Sequence, residues 1–196
     1  MTMTIQIRPA SRDDAPHLAR LIDFAAEGLP SHLWRGMAAP GQDPMEVGTE
    51  RAARDTGGFS WRNGRIAEIG GAVAGGLIAW RLPEAPEPID GLPPVLQPLQ
   101  QLENRVCGTL YINAFGVFPG FRRRGVGRSL LAETVATPGP VSLIMASGNA
   151  PALALYSALG FAEVARAPVE RDGWHCKHDD WVLMLRPALA KRGESV

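Results

Sequence analysis

At 196 residues, 45% of them hydrophobic, the chain has the length and composition of one well-buried globular domain and is only marginally long enough for two. Twenty basic side chains balance twenty acidic ones, so no global attraction to nucleic acid or to an anionic membrane is expected. The two cysteines, Cys107 and Cys176, are far apart and argue against a disulfide scaffold, and no apolar run approaches membrane-spanning length. A cytoplasmic protein with one domain over residues 1–187 is expected.

Thr4 to Arg8 alternates apolar and polar residues and predicts a first strand. Ser11-Arg-Asp-Asp14 then makes a capping-box-like start, and Ala15, Leu18, Leu21, Ile22 and Ala25 fall at helical spacing. From Gly28 to Gly41 the chain reads as an irregular loop, unusually apolar through Leu29, Leu33, Trp34 and Met37, suited to lining a pocket or covering a sheet edge. A helix is expected over 44–55, closed by Gly57 and Gly58. Arg65 to Ile69 and Ala72 to Leu82 predict a hairpin, since Gly70-Gly71 can take the positive φ angles of a tight turn. Residues 83–98 hold six prolines in sixteen positions, which denies a sheet or helix its hydrogen bonds. That stretch is an insertion, either a surface elaboration or, through Glu84, Glu87 and Asp90, an acidic lid over an acceptor site. A short helix is expected over 98–106.

Tyr111 to Val117 reads as a strand with Tyr111, Asn113 and Phe115 on one face, stopped by Pro119. Arg122, Arg123, Arg124 and Gly125 follow, and a helix opens at Val126, Gly127 and Arg128. The first N–H groups of a helix lack intrahelical partners, and the helix dipole adds roughly half a positive charge there. A loop of this kind suits a phosphate or pyrophosphate, with arginines adding charge-assisted hydrogen bonds. No Gly-Lys-Ser/Thr marks a nucleotide P-loop, and the glycines do not fall as Gly-x-Gly-x-x-Gly. The helix is expected to run to Ala136, followed by a buried strand over 141–146 and a helix with Asn149 at its start, Tyr156 a turn and a half along and Gly160 as terminator. Two last strands are expected over 161–169 and 180–186, then a frayed tail over 188–196. His175-Cys-Lys-His178, between those strands, reads as a surface loop; one short cluster is too little for a metal site.

The order Val117-x-Pro119-x-x-Arg122-x-x-Gly125-x-Gly127 closely resembles the acyl-CoA signature of the GNAT superfamily of N-acetyltransferases. Asn149-x-x-Ala152-x-x-Leu155-Tyr156-x-x-Leu159-Gly160-Phe161 resembles a second pattern of the same family. The resemblance implies an α/β fold, a mixed and mostly antiparallel sheet of about seven strands flanked by about four helices, with CoA entering where two central strands splay apart. It implies a cofactor site of Phe115, Val117, Arg122, Arg123, Arg124, Gly125, Val126, Gly127, Arg128, Asn149 and Tyr156, with no metal. The implied activity is acetyl transfer from acetyl-CoA to a primary amine of a small molecule or peptide. A backbone N–H near Val117 would then stabilise the oxyanion and Tyr156 would protonate the leaving thiolate.

The general base is left open. Several family members carry a carboxylate on the CoA strand, where this chain has Tyr111 and Asn113. Glu103 just upstream, an ordered water, Glu27 and His32 are the candidates, so the catalytic set reads Tyr156, Glu103 and Asn113. The rival readings are a non-catalytic acyl-CoA-binding module and a nucleic-acid binder, the latter disfavoured by zero net charge and by the lack of interleaved basic and aromatic residues. No membrane partner is expected, and a homodimer is left open.

Overall fold

The computed structural model describes residues 4–188; the tail expected to fray lies outside them apart from Ala188. Seven strands form one sheet: β1 (Ile5–Pro9), β2 (Gly64–Ile69), β3 (Ala72–Arg81), β4 (Leu110–Val117), β5 (Val141–Ala146), β6 (Ala162–Pro168) and β7 (Asp180–Arg186), in the order β1-β2-β3-β4-β5-β7-β6. All neighbours are antiparallel except β4 and β5.

Among the described residues six helices accompany the sheet, where about four were expected: α1 (Ala15–Ala25), α2 (Leu29–Arg35), α3 (Pro44–Ala52), α4 (Gln97–Glu103), α5 (Val126–Val135) and α6 (Ala150–Ala158). The surplus includes α2, in the stretch that the sequence predicts as an irregular loop. Gly28 at φ 83° turns the chain out of α1, Pro30 sits in the first turn, and Leu29, Pro30 and Trp34 are buried. The apolar character of that stretch is therefore a helix face.

Strand alternation sorts the core into two layers. Ala67, Leu77, Leu143 and Met184 pack with Val126, Leu130 and Leu131 of α5 and with Tyr156 of α6. Their neighbours Ile66 and Ile78 pack on the other face with Leu18 of α1, while Ile144 and Leu183 pack there with Leu29 of α2 and Leu102 of α4. The hairpin turn falls at Gly70 and Gly71, with φ 60° and 79°, as the sequence predicts. The insertion over 83–98 contains no strand, only a short 3-10 turn over Pro94–Leu96 that leads into α4.

Two features of β4 position everything that follows. It pairs with β5 only at Leu110–Val141, Tyr111–Ser142 and Ile112–Leu143, whereas β5 continues along β7 to Ala146 and β4 along β3 to Val117. The two strands therefore part beyond Ile112. The register on β3 also slips between Ile78 and Ala79, which pair with Ala114 and Ile112 and leave Asn113 as an extra residue. This bulge overturns the expectation that Tyr111, Asn113 and Phe115 share a face: Ile112 and Phe115 pack with the α5 layer, and Tyr111 packs with the α2–α4 layer.

Candidate active site

The splay between β4 and β5 opens a cleft of about 1060 Å³ that passes through the sheet. Cavities of roughly 300–1,000 Å³ hold one drug-sized ligand, so the space suits an extended ligand or two ligands meeting. On the α5 face its lining includes Arg122, Arg123, Gly125, Val126, Gly127 and Arg128, with Asn149, Leu155 and Tyr156 from α6 and Phe115 and Val117 from β4. Every expected cofactor residue except Arg124 thus borders one cleft, and Arg124 stacks its guanidinium 5.8 Å from the Phe121 ring in the same loop.

The loop is shaped by backbone conformation. Arg123 and Gly125 take φ 61° and 86°, turning the chain so that α5 begins with no side-chain cap. The first helical hydrogen bond is donated by Ser129 to the Gly125 carbonyl, so the N–H groups of Val126, Gly127 and Arg128 have no backbone acceptor among the described residues. Arg122 lies over the Phe24 ring at 4.9 Å and donates a long hydrogen bond to the Val117 carbonyl. The two glycines act differently. Gly125 is required by its φ, whereas a Cβ on Gly127 would come within 2.9 Å of the Phe115 ring, so Gly127 lets α5 press onto β4.

Asn149 caps α6, its side chain accepting from the Ala152 N–H at 3.2 Å. Tyr156 is buried between Phe115 and Phe161, edge-on to both at 6.3 and 5.9 Å. Burial alone pushes its phenol above the ordinary value, and no hydrogen bond among the described residues opposes that. The group is protonated at neutral pH and faces the cleft.

The base candidates divide. Glu103, half-buried on α4, does not border the cleft; it lines a separate small pocket with Glu87 and Asn104. Burial pushes its carboxyl up to about 7, opposed by a hydrogen bond with Tyr111. Tyr111 and Asn113 both border the cleft, and Tyr111 lies near enough to Glu103 for each to bear on the other's protonation. Glu27 borders the cleft and pairs with His178 at 2.8 Å, while His32 lies away from it against Gly173. His178 of the His175–His178 loop is thus a hydrogen-bonding partner of Glu27, and no group of three metal-ligating side chains is present among the described residues. Glu84, Glu87 and Asp90 do not border the cleft, so the insertion supplies no acidic lid; it contributes the apolar Leu96, and α4 adds Leu99. Sequence reasoning missed the aromatic lining from Trp80 and Trp181, whose only signal was the buried-strand pattern that any core residue gives.

No helix among the described residues is long and apolar enough to cross a membrane. Solved structures similar to the chain include an N-acetyltransferase from Staphylococcus aureus Mu50 (17% identity over 92% of this chain and 99% of that one, TM-score 0.61). They also include the ribosomal-protein-S18-alanine N-acetyltransferase from Escherichia coli (18%, 98% and 99%, 0.58) and a ribosomal-protein-alanine N-acetyltransferase from Brucella melitensis (21%, 93% and 99%, 0.57). At such identities the likeness is one of fold. No curated protein matches the chain in sequence. The family model for the acetyltransferase (GNAT) family matches residues 31–161, which hold both signature motifs and both walls of the splay, and the chain belongs to that family.

Proposed function

We propose that the protein transfers an acetyl group from acetyl-CoA to a primary amine of a small molecule or peptide. The observation that carries this reading is convergence: the unpartnered N–H groups at the start of α5, the outer edge of β4 and a protonated, unbonded Tyr156 all face one cleft.

The residues present fit acetyl-CoA, which supplies an activated thioester. Val126, Gly127 and Arg128 offer backbone donors, and Arg122 and Arg128 offer charge, for the pyrophosphate. Beyond Ile112 the outer edge of β4 offers main-chain groups to the amide-bearing arm. Tyr156 holds a proton for the departing sulfur. Glu103 is the base of this reading: the Tyr111 hydroxyl gives its proton to the Glu103 carboxylate and accepts one from the incoming ammonium, while the Asn113 amide oxygen is an acceptor that orients that ammonium, so Glu103 acts from behind the cleft lining.

Calorimetric titration of acetyl-CoA into the wild type and into an Arg122→Ala, Arg128→Ala variant tests the cofactor assignment. Micromolar binding, weakened in the variant, is the expected result, and absence of binding to the wild type overturns the reading. The non-catalytic alternative predicts that Tyr156→Phe leaves every measurable property unchanged.

A further inference from the structure

The mouth of the cleft opposite the arginine loop has its own chemistry. Leu29 and Leu33 of α2, Trp80 of β3, Leu99 of α4, Tyr111 of β4 and Trp181 of β7 line it, and all belong to or pack on one apolar cluster. Two of the rings are fixed before any ligand arrives. Trp80 stands edge-on to Tyr111 at 5.6 Å, and Trp181 is stacked on Trp174 at 5.9 Å. Fixed aromatic walls bind an apolar body with little ordering cost.

Glu27 is the one carboxylate bordering the cleft among the described residues, and its position is built from two sides. Its backbone sits at φ 52°, a conformation that a residue with a side chain rarely adopts. The Trp174 indole N–H donates to its carbonyl at 3.1 Å, and His178 Nε2 lies 2.8 Å from its Oε1. His178 in turn rests on Gly148, where a Cβ would come within 2.9 Å of Nδ1. Residues 151 positions apart thus hold a carboxylate at the rim, and its side chain remains 38% exposed.

We propose that this mouth is the acceptor site and that it takes a singly charged primary amine on an apolar, aromatic-sized body. Glu27 draws in the ammonium, and Trp80, Tyr111 and Trp181 wall the body. The assignment rests on the acetyltransferase reading above and narrows it. One carboxylate answers one positive charge. A polyamine or a lysine-rich peptide would set its further charges against indole and leucine, where an uncompensated charge is costly.

Titration of phenylethylamine and of spermidine into the protein, with and without saturating CoA, reads binding independently of turnover; thiol release from acetyl-CoA then reads transfer. Phenylethylamine is expected to bind about tenfold more tightly than spermidine, and Glu27→Gln to weaken it about tenfold while CoA affinity is unchanged. Leu33→Ser, at a half-buried wall position, weakens phenylethylamine about threefold with the fold retained by circular dichroism. Equal or tighter binding of spermidine, or an indifferent Glu27→Gln, overturns the proposal. Phenylethylamine binding without transfer supports the site and overturns the enzyme reading, whereas transfer to spermidine without phenylethylamine binding overturns the site and keeps the enzyme.

Discussion

Tyr156 and Glu103 are held away from their ordinary protonation behaviour by burial, and each shift has a measurable consequence. Tyr156→Phe removes one oxygen from a packed ring, so its cost falls on turnover: kcat drops about 10²–10⁴-fold with acetyl-CoA affinity kept, read by thiol release and calorimetry. For Glu103 the folded value of about 7 lies above the ordinary 4.5. Between those values the folded chain binds the proton that the unfolded chain has lost, so stability falls as pH rises through that window and levels off above it. Glu103→Gln removes the penalty. Its melting temperature is expected to exceed that of the wild type by a margin that grows from pH 5 to pH 8, while the rise in kcat/KM around pH 7 disappears. The arginine loop, Asn149 and Tyr156 were legible in the sequence because each is a local pattern on one element. Glu27 was legible only as one of several base candidates and His178 only as part of a surface loop, because each alone looks like a solvated surface group and only the fold pairs them.

At the level of elements, α3 breaks a general rule in an informative way. Replacing a helix-interior glycine by alanine normally stabilises by about 1 kcal/mol. In α3, a Cβ on Gly48 would fall well inside contact distance of the Trp34 ring, which is buried and stacked on Phe59 at 6.0 Å. Gly48→Ala is therefore expected to destabilise by about 1–3 kcal/mol, measured by urea unfolding, because α2 and α3 cannot both keep their places. This contact also shows why α2 was invisible in the sequence. Its start is set by a left-handed Gly28 and not by a capping side chain, and its periodicity is too short to stand out beside Pro30 and Gly36. The bulge at Asn113 escaped for a related reason: one extra residue leaves the apolar pattern of β4 intact while exchanging its faces.

Over the whole molecule, the sheet is two plates joined at one short seam. Three residue pairs link β4 to β5, and a buried contact of 2.6 Å between the Thr109 and Ser142 hydroxyls lies at its base. Thr109 also donates to the Val106 carbonyl, so Ser142→Ala leaves it satisfied, whereas Thr109→Val strands the fully buried Ser142 hydroxyl. Thr109→Val is expected to cost about 1–3 kcal/mol and Ser142→Ala about 1 kcal/mol, by chemical denaturation. The splay of two central strands was expected only through the family resemblance, and a separating helix does not by itself mark the parallel step: helices also lie between β1 and β2 and between β3 and β4, which pair antiparallel. Above the seam, the edge of β4 presents main-chain groups, and any residue except proline supplies those. What the backbone on that side of the cleft demands of its genes is therefore small: one glycine for a dihedral angle, Gly125, and one for a ring, Gly127. A main-chain edge is indifferent to side-chain identity, so single substitutions along β4 beyond Ile112, other than to proline, leave the groups it presents in place.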